Sequence, residues 1–215
     1  MKLISVNTGL PRVVTWHGRE VTTGIYKEPV EGRVTLRTLN LDGDRQADLS
    51  VHGGEPKAVY CYPVGHYDYW KRELGRDLPM GIFGENFTTD GLVEDAVSLG
   101  DQFSIGSAKV VVTQPRLPCY KLGLRFQSDE MVKRFLVSGR TGFYLAVTGE
   151  GAVGAGDAII VAARDSNAVS VSEITRLYVA KTFSDDDVAS VRRALRVAAL
   201  PETWKRYFRD RLASA

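Results

Sequence analysis

A chain of 215 residues with 44% hydrophobic and 25% charged residues is long enough to bury a core without disulfide or metal staples. Its formal net charge of +2 gives no electrostatic reason to expect nucleic acid or an anionic membrane as a partner, and no stretch approaches the roughly 18 apolar residues of a membrane span. The opening Met1-Lys2-Leu3-Ile4-Ser5-Val6 reads as a strand and not as a secretion signal, so the expected compartment is the cytoplasm, where the two cysteines stay free thiols.

In chain order, the residues up to 163 read as mainly β with some α. Strands are expected over 2–6, 32–39, 58–62, 102–105 and 109–113, each carrying β-branched or aromatic residues between Gly, Pro, Asp and Asn punctuation. Segments 143–147 and 158–161 have the same texture and close this part. Short strands at regular spacing favour a barrel or sandwich over a parallel α/β sheet. Two helices interrupt them. One covers 64–74, where His66, Tyr67, Tyr69 and Trp70 mix with charges before Gly75. The other covers 128–138, capped by Ser128, with Met131, Val132, Phe135 and Leu136 on one face.

The texture changes after Ala163, where Arg164-Asp165-Ser166-Asn167 reads as a polar linker. Ser170 and Glu173 have capping-box spacing, Ser184 can cap a second helix to about 199, and Pro201 suits the first turn of a third over 202–212. The expected organisation is a β-rich domain over 1–163 with flanking helices and a small three-helix bundle over 164–215.

Cys119 stands out among the chemically active residues. It lies in Thr113-Gln114-Pro115-Arg116-Leu117-Pro118-Cys119-Tyr120-Lys121, just past a strand, between prolines that restrict the backbone. Arg116 and Lys121 bring positive charge that favours thiolate, hence a nucleophile or metal ligand. Taken alone, an inert buried cysteine accounts for it as well. Cys61, in Tyr60-Cys61-Tyr62, reads as a small core residue. His52, in Val51-His52-Gly53-Gly54, could donate to an anion, shuttle a proton, bind metal or serve structure. Glu85 and Asn86, in Gly81-Ile82-Phe83-Gly84-Glu85-Asn86-Phe87, suit hydrogen bonding to a polar ligand or a backbone turn. Lys27 and Arg140 are candidates for holding a phosphate, with plain solvation as the alternative for each. His17 and His66 are not spaced as a zinc pair, and CxxC, HExxH, GxGxxG, Walker and GxSxG patterns are missing.

Taken in order, Thr23-Gly24-Ile25-Tyr26-Lys27-Glu28-Pro29-Val30-Glu31-Gly32, Gly43-Asp44-Arg45-Gln46-Ala47-Asp48, Val51-His52-Gly53-Gly54, Gly84-Glu85-Asn86, Gln114-Pro115-Arg116-Leu117-Pro118-Cys119 and Ser138-Gly139-Arg140-Thr141-Gly142-Phe143-Tyr144 resemble the MOSC family. That family takes its name from the C-terminal domain of molybdenum cofactor sulfurases. The likeness covers residues 1–163, and the remainder is similar to the three-helix module of a bacterial branch.

The resemblance implies a MOSC-type β-barrel and a molybdenum cofactor of the molybdopterin type. It implies that Cys119 gives molybdenum a thiolate, a soft and strong donor. Lys27 and Arg116 become the first phosphate or pterin contacts, with Asn86, Glu85 and Arg140 as further polar neighbours of the cofactor. The implied reaction is reduction of N-hydroxylated compounds such as hydroxylaminopurines, amidoximes and hydroxylamines, a detoxification, with His52 as proton donor and Glu85 as a weaker one. Two cysteines are too few for a four-cysteine iron–sulfur cluster, so electrons would come from a separate reductase. The three-helix tail would then be a docking surface or a homodimer contact. Two other classes stay open: a cofactor or sulfur carrier with a persulfide on Cys119, and a hydrolase pairing Cys119 with His52.

Overall fold

The computed structural model describes residues 1–48 and 53–214. Among them the strands are β1 (Lys2–Thr8), β2 (Arg12–Trp16), β3 (Arg19–Thr23), β4 (Glu28–Pro29), β5 (Arg33–Leu36), β6 (Val59–Pro63), β7 (Phe87–Asp90), β8 (Gln102–Ile105), β9 (Ala108–Pro115), β10 (Phe143–Gly149), β11 (Gly151–Gly154) and β12 (Ile159–Ala163). The helices are α1 (Gly65–Leu74), α2 (Tyr120–Phe126), α3 (Glu130–Val137), α4 (Val171–Val179), α5 (Asp185–Arg196) and α6 (Glu202–Ala213).

Eight strands form one sheet in the order β12-β8-β9-β10-β6-β7-β1-β4, antiparallel except for the parallel pair β6–β7. Alternation sets its faces: Val110 and Val112 of β9 and Leu145 of β10 are buried, whereas Lys109 is exposed. Lys2 bridges Ala158, and Leu3 N donates to Asp157 O (2.9 Å) while Ile159 N donates to Met1 O (3.0 Å). The sheet therefore curls until the β12 edge meets β1, the strand next to its other edge. The contact is one bridge rather than a ladder, so the barrel expected from the sequence is met by a curled sheet in a mixed α/β chain, with no closed barrel among the described residues.

Several local expectations change. The ribbon β2–β3 stands apart from the main sheet, and its residues are mostly exposed or half-buried, so no alternating apolar pattern marks it. Ser128 does not cap α3: the helix starts at Glu130, and its N-cap, Asp129, is itself helical and makes no side-chain cap. Ser128 instead closes the α2–α3 turn, its N–H donating to Gly123 O (2.9 Å). Ser170 accepts from Glu173 N (3.1 Å), but the Glu173 carboxylate turns to Arg193 (2.9 Å), leaving half of the expected box. The complete box belongs to Ser184 and Asp187, whose side chains each meet the other's N–H (3.2 and 3.0 Å).

Two apolar clusters hold the chain. The larger joins sheet residues such as Phe103, Ile105 and Val112 to Ile174, Leu177, Val191, Trp204 and Phe208 of the tail helices. Backbone bonds stitch the same junction: Leu99 N to Val169 O (2.9 Å), Val171 N to Val97 O (2.9 Å) and Gly100 N to Val112 O (2.8 Å). The smaller cluster is aromatic, with Phe135 stacked on Tyr62 (5.8 Å) and Trp70 (5.6 Å), and Trp70 Nε1 donating to Tyr62 Oη (2.8 Å). It lies beneath the site described next, because Tyr60 and Phe83 belong to both.

Candidate functional site

A cleft opens where the β9–α2 connection meets the segments around residues 24–27, 45–47 and 83–86. Cys119, Arg116, Lys27 and Asn86 line it, as do Arg45, Lys57 and Lys121, none of which was singled out as a binding residue from the sequence. Five cations around one half-buried thiol favour an anionic ligand.

Strand β9 delivers the central residues. After Pro115 the chain continues through Arg116 to Cys119, which has extended backbone (φ −122°, ψ 173°) and serves as N-cap of α2. Helix α2 was not anticipated: it has seven residues, contains Gly123 and follows two prolines, all of which read as loop. Burial on that helix turns Lys121 into the pocket.

Arg116 is the most telling side chain. It is 6% exposed, sits 5.0 Å from the Tyr60 ring centroid and 5.1 Å from that of Phe135, and its Nη1 has no hydrogen-bond partner among the described residues. Its Nη2 makes a long contact to Phe83 O (3.5 Å). A buried guanidinium donor without an acceptor is costly unless a ligand supplies one. Tyr144 faces the same point. Burial pushes its hydroxyl pKa up, Arg116 opposes this, and it stays a protonated donor at neutral pH.

Lys27 is paired with Asp44, whose carboxylate also accepts from Gly9 N (2.9 Å) and Asn86 Nδ2 (2.9 Å). Burial lowers the Lys27 pKa and Asp44 opposes that shift. Asn86 is fully engaged, its Oδ1 accepting from Tyr60 N (3.1 Å), so its evident work is to fix Asp44 against β6.

The sequence candidates do not all meet. Glu85 is wholly buried behind the cleft wall, accepting from Tyr67 Oη, Gly81 N (2.9 Å), Phe83 N (3.1 Å) and Thr88 Oγ1 (3.0 Å). Arg140 lies over the Tyr69 ring (4.1 Å) and bonds Ser138 O (3.1 Å), away from the cleft. His52 lies outside the described residues. Cys61 is buried on β6 with its thiol pushed up to about 12 by burial, as a core residue should be.

The segment carrying Arg140 still matters through its backbone. Arg116 N donates to Gly142 O (3.1 Å), and Gly142 N donates to Glu94 Oε1 (2.7 Å). Gly142 has φ +67°, and a Cβ there would lie 2.4 Å from Cys61 O. We expect Gly142→Ala to lower stability by at least about 2 kcal/mol, from left-handed strain plus the clash, as measured by its denaturation midpoint.

A curled sheet bearing a cysteine in a cationic cleft, followed by three helices, is the architecture these residues build. The family model of the MOSC domain matches residues 48–160, and that of the YiiM-like, 3-alpha helix domain matches 169–215. The chain belongs to the MOSC family, in the branch that carries the YiiM-like three-helix domain.

It is 40% identical to the uncharacterized protein YflK of Bacillus subtilis, over 98% of this chain and 95% of that one. The crystal structure of YiiM from Geobacillus stearothermophilus superposes with a TM-score of 0.81 at 34% identity, covering 98% of each chain. A protein named reductase from Gibberella moniliformis is 33% identical over 78% of this chain, which spans 30% of that longer protein. Among the described residues no helix is long and apolar enough to cross a membrane.

Proposed function

We propose that this chain is a molybdenum-cofactor-dependent reductase of N-hydroxylated compounds, with Cys119 as the protein's ligand to the metal. The observation that carries this reading is the unsatisfied, buried Nη1 of Arg116 in the cleft that also presents Cys119. The residues fit such a group: a cysteine thiolate is a soft, strong anionic donor whose charge helps stabilise an oxidised metal, and the cations suit a pterin that carries a phosphate. MOSC membership and the reductase-named relative add support.

Bound there, the cofactor would supply two electrons to an N–O bond, which with two protons gives amine and water. The chain's own residues do the rest. Lys27, Arg116 and Lys121 bind and orient the anionic ligand, and Arg45 and Lys57 extend that field to the mouth. The Tyr144 hydroxyl, held protonated by burial, donates a hydrogen bond beside Arg116. Glu85 and Asn86 brace the wall from behind, Glu85 through Gly81 and Phe83, and Asn86 through Asp44 and Lys27. His52 is proposed as proton donor on its sequence motif alone. Residues 1–163 would form the barrel-like cofactor unit of a cytoplasmic enzyme, and 164–215 the surface that meets a separate electron-donating reductase or a second copy of the chain.

The test is metal and pterin analysis of protein made in a cofactor-competent host, beside Cys119→Ala. Near-stoichiometric molybdenum in the parent, less than a tenth of it in the variant, and reduction of hydroxylaminopurine by the parent alone are expected. Neither metal nor pterin in the parent, while a known molybdoenzyme from the same host is loaded, would sink the reading. Sulfane sulfur on metal-free parent would instead make the chain a carrier.

A further inference from the structure

Tyr26 lies between the cleft-lining residues Ile25 and Lys27. Two guanidinium groups gather on its ring: that of Arg12, at the start of β2, 3.5 Å from the centroid, and that of Arg125, in α2, 4.6 Å from it. Like charges brought to one ring repel unless something anionic joins them. None of the ion pairs among the described residues includes either arginine. The Nε of Arg125 is buried and has no hydrogen-bond partner among those residues. Burial lowers the Arg125 pKa and Arg12 lowers it further, while Tyr26 and the carboxylates of Glu28 and Glu85 oppose this, although no ion pair joins either carboxylate to Arg125 among the described residues.

We infer that Arg12 and Arg125, gathered on Tyr26, form a second anion subsite that takes the phosphate monoester at the outer end of a ligand seated in the cleft. Guanidinium forks match phosphate oxygens in pairs, which a single lysine does not. The spacing agrees. Lys121 lines the cleft, and Arg125 follows on the same face of α2 one turn away, about 6 Å along the axis. From Cys119 to Arg125 the rise is about 9 Å. A nucleoside monophosphate covers such a span with its base at one end and its phosphate at the other. This rests on the cleft as a ligand site, proposed above, and deepens it: the bound compound carries a nucleotide phosphate. The phosphate belongs either to an N-hydroxylated purine nucleotide substrate or to a nucleotide extension of the cofactor.

Calorimetric titration of the full, metal-free chain with AMP and with adenosine tests the subsite. AMP is expected to bind at least about tenfold more tightly than adenosine. Arg125→Gln, and separately the exposed Arg12→Gln, should bring the ratio close to one, with partial recovery in Arg125→Lys. Equal binding of AMP and adenosine by the parent, or a ratio that survives both glutamine variants, overturns the proposal. The mass of the pterin eluted from loaded protein separates the sources: a dinucleotide assigns the phosphate to the cofactor, a monophosphate pterin to the substrate. Because the titration uses no metal, it fails or succeeds independently of the molybdenum analysis.

Discussion

Arg116→Met should lower pterin retention by two orders of magnitude or more while leaving the cofactor-free chain slightly more stable than its parent. The two effects share one cause. In the free protein the guanidinium is 6% exposed with Nη1 unsatisfied, and an orphaned buried donor costs about 1–3 kcal/mol, more when charged. Methionine keeps much of the apolar volume and removes that cost. It also forfeits the contacts to the Tyr60 and Phe135 rings, worth about 0.5–1 kcal/mol each, so the net gain is about 1 kcal/mol, or roughly 2–4 °C in melting temperature. Ligand binding moves the other way. Two charge-assisted hydrogen bonds to an anion, at about 1.5–3 kcal/mol each, correspond to more than a hundredfold in retention. Melting of cofactor-free protein and pterin fluorescence after gel filtration read the two separately. A variant that melts lower and keeps its pterin would show that Arg116 serves structure only.

Glu85→Ala should be the costliest single change near the cleft, at about 4 kcal/mol, or roughly 8–16 °C in melting temperature. The carboxylate is the common acceptor for Tyr67 Oη, Thr88 Oγ1 and the N–H groups of Gly81 and Phe83. The hydroxyls can turn to other acceptors, but the backbone N–H groups are fixed, and alanine leaves them buried and unmet. The pH dependence carries a sign. Burial raises the Glu85 pKa from its ordinary 4.5 despite the hydrogen bonds that lower it. Its contribution is therefore complete below about 4.5 and is lost as pH rises through the folded-state value. The stability gap between parent and variant should narrow as the medium goes from mildly acidic to neutral, as followed by urea midpoints. A gap that widens over that range would mean a carboxylate ionised more easily in the fold.

The sequence marks the site more clearly than the fold around it. The motif ending at Cys119 places the thiol and Arg116 in one cleft because covalent adjacency and two prolines leave that segment few conformations. Lys27 joins them from a segment whose glycine-flanked pattern is also local. Glu85 and Arg140 stood in equally distinctive motifs, yet one side chain points behind the wall and the other onto Tyr69. Motif membership fixes a backbone segment and says nothing of which way each side chain leaves it. Strand pairing is hidden for another reason. β6 meets β7 in parallel and β1 meets β7 across some eighty residues, pairings set by global packing and not by local pattern. β11, two of whose four residues are glycine, pairs with β5 without any strand-like composition. The capping serines were legible because a cap is a contact within four residues, although Ser128 was claimed by the turn before it.

The stitching between tail and sheet carries a mechanical consequence. Val169 and Val171 hold the segment at 97–99, Gly100 holds Val112, and Val112 lies on the strand that ends one residue before Arg116. A path of backbone hydrogen bonds thus runs from the three helices to the strand that delivers Arg116. The helices and the arginine therefore rest on one continuous hydrogen-bonded strand, and a change that loosens the tail's seat at Val97 and Leu99 acts on the same strand that positions Arg116.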